Sequence, residues 1–111
     1  MTDREKLLDL VGSPFAIESL LDYQSGAVVS QTLVDEEAVT LTVFAFDEGE
    51  RLSEHTAPHD ALLQVVDGTA LVTVSDTEHE VAAGESIVLP ADEPHAVDAV
   101  SEFKMLLTML R

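Results

Sequence analysis

From Ala27 to Leu110 the chain is a succession of short runs rich in β-branched residues, each bounded by residues that favour turns. The runs are Ala27–Val34, Val39–Phe46, Ala61–Val66, Ala70–Val74, His79–Ala82, Ser86–Leu89, His95–Val100 and Phe103–Leu110. Between them stand Asp35-Glu36-Glu37, Glu48-Gly49, Asp67-Gly68, Asp76-Thr77, Ala83-Gly84 and Asp92-Glu93. Closely spaced short strands of this kind predict an all-β sandwich or barrel with antiparallel pairing, not a parallel sheet between helices. Asp67-Gly68 predicts a tight hairpin, because glycine accepts positive φ without steric cost, and Gly84 is expected to play the same part. Gly49 reads as a turn or bulge, and the acid run at 35–37 as a solvated hairpin tip.

Side-chain parity adds a second expectation. Successive residues of a strand face opposite sides, so a strand with one wet face should alternate apolar and polar residues. Two runs do not. In Val39–Phe46, the residues Val39, Leu41, Val43 and Ala45 oppose Phe44 and Phe46; in Phe103–Leu110, the residues Phe103, Met105, Leu107 and Met109 oppose Leu106 and Leu110. A small sandwich has no second layer to cover the outer apolar face. An isologous homodimer packing sheet on sheet is the expected cover, and folding back of the N-terminal segment is the alternative.

The first 26 residues differ in character. Thr2 and Glu5 form a capping-box pattern before Leu7, Leu8 and Val11, predicting a short helix to about Leu10 that Gly12, Ser13 and Pro14 would end. From Phe15 to Tyr23 the apolar spacing is mixed, and helix and strand both remain open. The chain therefore divides into an N-terminal helical or irregular segment, residues 1–26, packing on a barrel of residues 27–111. At 111 residues it is large enough for one core and too small for two.

Charge limits the partners. Against 5 bases there are 22 acids, a formal net charge of −17, so phosphate backbones and anionic lipid surfaces are repelled, and neither nucleic acid nor membrane is expected as a partner. With 46% hydrophobic residues and dispersed acids, the composition is that of a folded domain. Acid-rich, lysine-poor composition is also what proteins of salt-accumulating halophiles carry, and a halophilic source stands level with an ordinary acidic protein. No cysteine is present, which removes disulfides and thiolate catalysis. The acidic start without a long apolar run, and the lack of a stretch near the roughly 20 residues of a membrane helix, lead us to expect a cytoplasmic protein.

Two segments lead from a glycine to a histidine: Gly49 through His55 to Gly68, and Gly84 through Pro90 to His95. Their spacing resembles the two motifs of the cupin family, G-x5-H-x-H-x3-4-E-x6-G and G-x5-P-x-G-x2-H-x3-N. Six positions agree in both spacing and residue type. Where the family has its second histidine, glutamate, second-motif glycine and asparagine, this chain has Ala57, Ala61, Asp92 and Ala99. The resemblance implies a small single-domain cupin, RmlC-like, with the double-stranded β-helix or jelly-roll barrel. It also implies that His55 and His95 project from neighbouring strands into one cavity.

The same resemblance raises a metal. Metal-binding cupins hold iron, manganese or nickel with three histidines and a carboxylate, a donor set that suits such borderline ions. Only His55 and His95 match those ligands here, and His59, one residue past Pro58 and of the same parity as His55, is the candidate third. A set of His55, His59 and His95 would suit a divalent Zn, Fe, Mn or Ni ion, whereas Gln64 falls on the opposite face by parity. Without the ion, His55 and His95 read as a cavity pair that bonds each other, a water or a small polar ligand, or that moves a proton. His59 then reads as a bend residue, and His79, between Glu78 and Glu80, as a solvated surface histidine. The expected function is small-molecule binding near His55 and His95. The alternatives are a metal-dependent dioxygenase or isomerase using His55, His59 and His95, and a structural subunit without ligand. No catalytic residue follows from the sequence.

Overall fold

The computed structural model describes residues 7–111. Nine strands make up the fold among these residues: β1 Val28–Asp35, β2 Val39–Phe46, β3 Arg51–His55, β4 Ala61–Asp67, β5 Thr69–Val74, β6 Thr77–Ala82, β7 Ser86–Leu89, β8 His95–Ala99 and β9 Phe103–Leu110. They form two antiparallel sheets, one ordered β1-β2-β9-β4-β7 and one ordered β3-β8-β5-β6. The interior-facing positions of both interlock into one core that contains Phe46, Leu63, Val65, Val72, Val97 and Met105. This is the all-β jelly-roll expected from the sequence.

Several local expectations change. The strand β3 was not legible: RLSEH offers one apolar residue, Leu52, and pairs as an edge strand whose outer side faces water. The strand β6 starts at Thr77, two residues before the expected His79. Asp67-Gly68 is not a hairpin. Its flanking strands β4 and β5 belong to different sheets, so the glycine turns a corner between layers, and Gly84 does the same between β6 and β7. The tight hairpin lies instead at Ser75-Asp76, joining β5 to β6, with positive φ at both central residues (47° and 69°) as a twist-matched two-residue turn requires.

The capping residues Thr2 and Glu5 lie outside the described residues. Within them, Leu10 and Val11 donate to the carbonyls of Leu7 and Leu8, a single helical turn that ends before Gly12. The undecided stretch from Phe15 to Tyr23 holds a 3-10 turn, Ile17–Ser19. Ile17, Leu20 and Leu21 cover Leu33, Val43 and Leu106 on the outer face of the five-stranded sheet, so folding back of the N-terminal segment does bury part of that face. A polar clasp holds it there. The buried Lys104 ammonium donates to the Glu18 carbonyl at 2.6 Å and sits 4.7 Å from the centre of the Tyr23 ring, while the Tyr23 hydroxyl donates to the Asp67 carboxylate. Burial first, and then the Asp67 carboxylate, push the Tyr23 phenol far above its ordinary pKa, so it stays a donor.

Candidate histidine site at the barrel mouth

The two ends of the barrel differ. At one end Phe46 and Phe103 are directly paired and stacked with centroids 4.4 Å apart, both fully buried, and Ala70 and Ala99 close the other sheet over them. At the other end, interior positions keep contact with solvent. Phe44 shares its side with Phe46, and by the same parity Thr40 and Thr42 face inward, with Thr32 cross-strand from Thr42. Thr32, Thr40, Thr42, Phe44, Leu107 and Met109 are all only half-buried. Inward residues that remain accessible mark an open mouth, lined by hydroxyls and apolar groups together.

His95 and His55 stand at that mouth. His95 shares the inward side of β8 with Val97 and Ala99 and is 7% exposed. How His55 comes to face it depends on an irregularity. Leu52 pairs with Val97 and His55 with His95, three steps on β3 against two on β8. Leu52 packs inward, and strict alternation would send His55 outward. The extra residue of this bulge turns it back toward the interior, as bulges beside functional sites commonly do.

The rings meet edge to face, with centroids 4.3 Å apart and planes at 70°. Nδ1 of His55 donates to the Ser53 carbonyl at 2.8 Å and Nδ1 of His95 to the Glu93 carbonyl at 3.2 Å, while the two Nε2 atoms lie 3.1 Å apart. A carbonyl oxygen accepts only, so each Nδ1 must carry a proton to bond it. Satisfying all three contacts takes three protons; two neutral imidazoles bring two. Burial, with the neighbouring His55 adding to it and the Glu93 carbonyl opposing it, holds the His95 pKa below the usual imidazole value. With both rings neutral, the pair is left one hydrogen bond short.

The loops behind the rings fix them. Asp92 donates its N–H to the Ala57 carbonyl at 2.8 Å, Ala91 donates to the Asp60 carboxylate at 2.7 Å, and Ser75 donates its N–H to the Pro94 carbonyl at 2.9 Å. Asp92 has φ of 65°, so the left-handed conformation is kept where the cupin motif carries glycine. Aspartate adopts that region more readily than most residues.

The other sequence candidates lie elsewhere. Half-buried His59, in the loop between β3 and β4, does not join the pair: among the described residues no group of three or more His, Cys, Asp or Glu is placed to hold a metal. The expected set of His55, His59 and His95 does not form such a group among the described residues. Gln64 is on the outer face, between Leu106 and Ser86. His79 is exposed and lines an open groove with Glu80, Glu85 and Ile87. The three mouth threonines were missed; parity with Phe44 and Phe46 was the signal that could have found them.

Two imidazole nitrogens 3.1 Å apart could touch one ion, since ligands about 2.0–2.1 Å from tetrahedral zinc are themselves roughly 3.3 Å apart. A catalytic zinc site keeps three protein ligands. Ala57 and Ala61 supply none, so the residues present do not fit a resident metal.

Residues 42–110 match the family described as the cupin domain. The chain belongs to the cupin family. Among solved structures, this cupin is similar to a conserved protein of unknown function from Streptococcus pyogenes, with 32% identity and a TM-score of 0.86 over 90% of this chain and 88% of that one. It is also similar to a cupin 2 conserved barrel domain protein from Leptotrichia buccalis, with 41% identity and a TM-score of 0.85 over 87% of this chain but 47% of that one. A cupin superfamily protein from Desulfitobacterium hafniense matches at 28% identity and a TM-score of 0.85, over 89% and 91% of the two chains. No curated protein matches the cupin significantly. Among its described residues no helix is long and apolar enough to cross a membrane.

The depressed His95 pKa predicts a pH dependence. The unfolded chain, with imidazole near 6.5, takes up more protons than the folded one between that value and the lower folded one. The neutral ring's contribution is therefore complete above pH 6.5 and is lost as the pH falls from there through the folded pKa. Urea denaturation of the wild type and His95→Gln in parallel should show the stability difference shrinking below about pH 6.5. A difference that widens toward acid would mean that the folded pair prefers the proton.

Proposed function

We propose that this cupin binds a small hydroxylated molecule at the open end of its barrel, with His55 and His95 as the polar anchor. The observation that carries this reading is the pair of Nε2 atoms 3.1 Å apart, whose Nδ1 protons are already committed to backbone carbonyls. A ligand hydroxyl offered to this edge can donate to an Nε2 of the pair, between buried His95 and exposed His55. Inward Thr32, Thr40 and Thr42 add hydroxyl partners, and Phe44, Leu107 and Met109 give an apolar wall. This mixture of apolar surface with a few convergent polar groups is what small-molecule sites have in common.

The test is a thermal-shift screen of polyols, sugars and hydroxy acids. At least one class should raise the unfolding midpoint of the wild type, since a ligand of the folded state alone stabilises it by mass action. His55→Ala/His95→Ala should lose that rise while keeping the far-ultraviolet spectrum of a β protein. An undiminished rise in the double variant places binding elsewhere, and no rise with any class removes the reading. Elemental analysis of protein purified without chelator separates it from the metal-dependent dioxygenase or isomerase: zinc, iron, manganese and nickel should be far below one per chain.

A further inference from the structure

We infer that the histidine pair selects a cation, and that the molecule it binds carries a primary ammonium beside its hydroxyls, as an amino alcohol does. This rests on the reading of the mouth as a binding site and names the charge and the donor group of its ligand.

The donor count points to nitrogen. Each Nδ1 proton goes to a backbone carbonyl, of Ser53 or Glu93, so with both rings neutral both Nε2 atoms are acceptors. They lie 3.1 Å apart, within hydrogen-bond reach of one donor atom, and His95, only 7% exposed, draws little on solvent. A hydroxyl has one proton and serves one of them. An ammonium has three and no lone pair, so a single one serves both and turns no acceptor toward them. A hydrogen bond from a charged donor is also roughly twice as strong as a neutral one.

Charge at this end favours the same group. Glu36, Glu37, Glu54, Asp60, Asp92 and Glu93 are all exposed in the turns and strand ends that frame the mouth. The bases among the described residues are elsewhere or engaged. Lys104 is buried next to Phe103 at the closed end, Arg51 lies 3.3 Å from Asp98 toward that end, and Arg111, at the mouth, lies 3.4 Å from Asp35. A cleft lined by one sign of charge concentrates the opposite ion and repels its own, so a hydroxy acid is disfavoured here. Half-buried Phe44, Leu107 and Met109 are left to carry the carbon chain, and the inward threonines its hydroxyls.

Titration calorimetry of the whole chain with glucamine, sorbitol and gluconate tests this, since the three share one polyol chain and end it in an ammonium, a hydroxyl and a carboxylate. Glucamine should bind about tenfold or more tighter than sorbitol, and gluconate weakest. The preference should shrink between about 0.1 M and about 1 M salt, as the screening length falls from about 10 Å to about 3 Å. N,N,N-trimethylglucamine, charged but without an N–H, should lose most of the gain, and so should glucamine on His55→Ala. Sorbitol or gluconate binding as tightly as glucamine overturns the inference while leaving the mouth a binding site. So does a trimethyl derivative equal to glucamine, or a preference that survives His55→Ala. Failure of all three to bind removes the underlying reading with it. The wild-type series stands by itself if the variant fails to fold.

Discussion

Gly68→Ala is expected to be the most damaging single substitution in the barrel, costing on the order of 4 kcal/mol or more of stability. Two terms add. The glycine has φ of 73°, where an L-residue pays about 1–2 kcal/mol. An alanine Cβ there would also lie 1.9 Å from the Glu102 carbonyl oxygen and 2.9 Å from Phe103 Cα. Both obstacles are backbone, so no rotamer change relieves them, and the chain leading into β9 must move. That strand pairs with both β2 and β4 and carries Phe103, so a shift there reaches the centre of the core. Gly49→Ala is the matched control: its φ is 84°, but nothing lies within 4 Å of the added methyl, and it should lose only about 1–2 kcal/mol. Urea denaturation of both compares them directly. Equal losses would show that the corner at Gly68 yields more easily than its contacts imply.

Phe46→Ala should follow closely, at about 3–5 kcal/mol. Its ring is fully buried and stacks on Phe103 at 20° between planes, so the substitution removes a large apolar group and leaves a void at the closed end. Ligand binding at the mouth should survive in whatever fraction remains folded. Phe44→Ala is the counterpart. That ring is half-buried, 6.1 Å from Phe46 and nearer the open end, so its loss should cost less than about 2 kcal/mol while weakening the ligand's thermal shift. Denaturation midpoints and thermal shifts on both variants would separate floor from wall; the same profile in each would merge the two regions.

The histidine pair shows how far local signals reach. The spacings of Gly49, His55, Gly84, Pro90 and His95 pointed to the two segments, because turn glycines and a proline bend punctuate the chain locally. That the rings meet at Nε2 was not legible. From Leu52, period-two counting puts His55 on the outside, and only its pairing with β8 forces the extra residue that turns it inward. The stability of β3 has the same origin. Arg51–His55 lacks the apolar alternation of a strand because one side faces water, and its conformation is imposed by a partner strand some 40 residues on.

The sequence by itself determined that this chain is a β protein of the cupin kind. Its β-branched runs, turn residues and glycine-to-histidine spacings act within a few residues, and they need no distant partner to be read. Tertiary structure alone decided which glycines turn hairpins and which turn corners, which half of the outer sheet the N-terminal segment covers, and which histidines meet. A positive φ fits hairpin and corner equally well, and an apolar face accepts any cover of matching shape. Those choices rest on contacts between residues far apart in the chain, where the free energy of pairing and burial, not local preference, selects the arrangement.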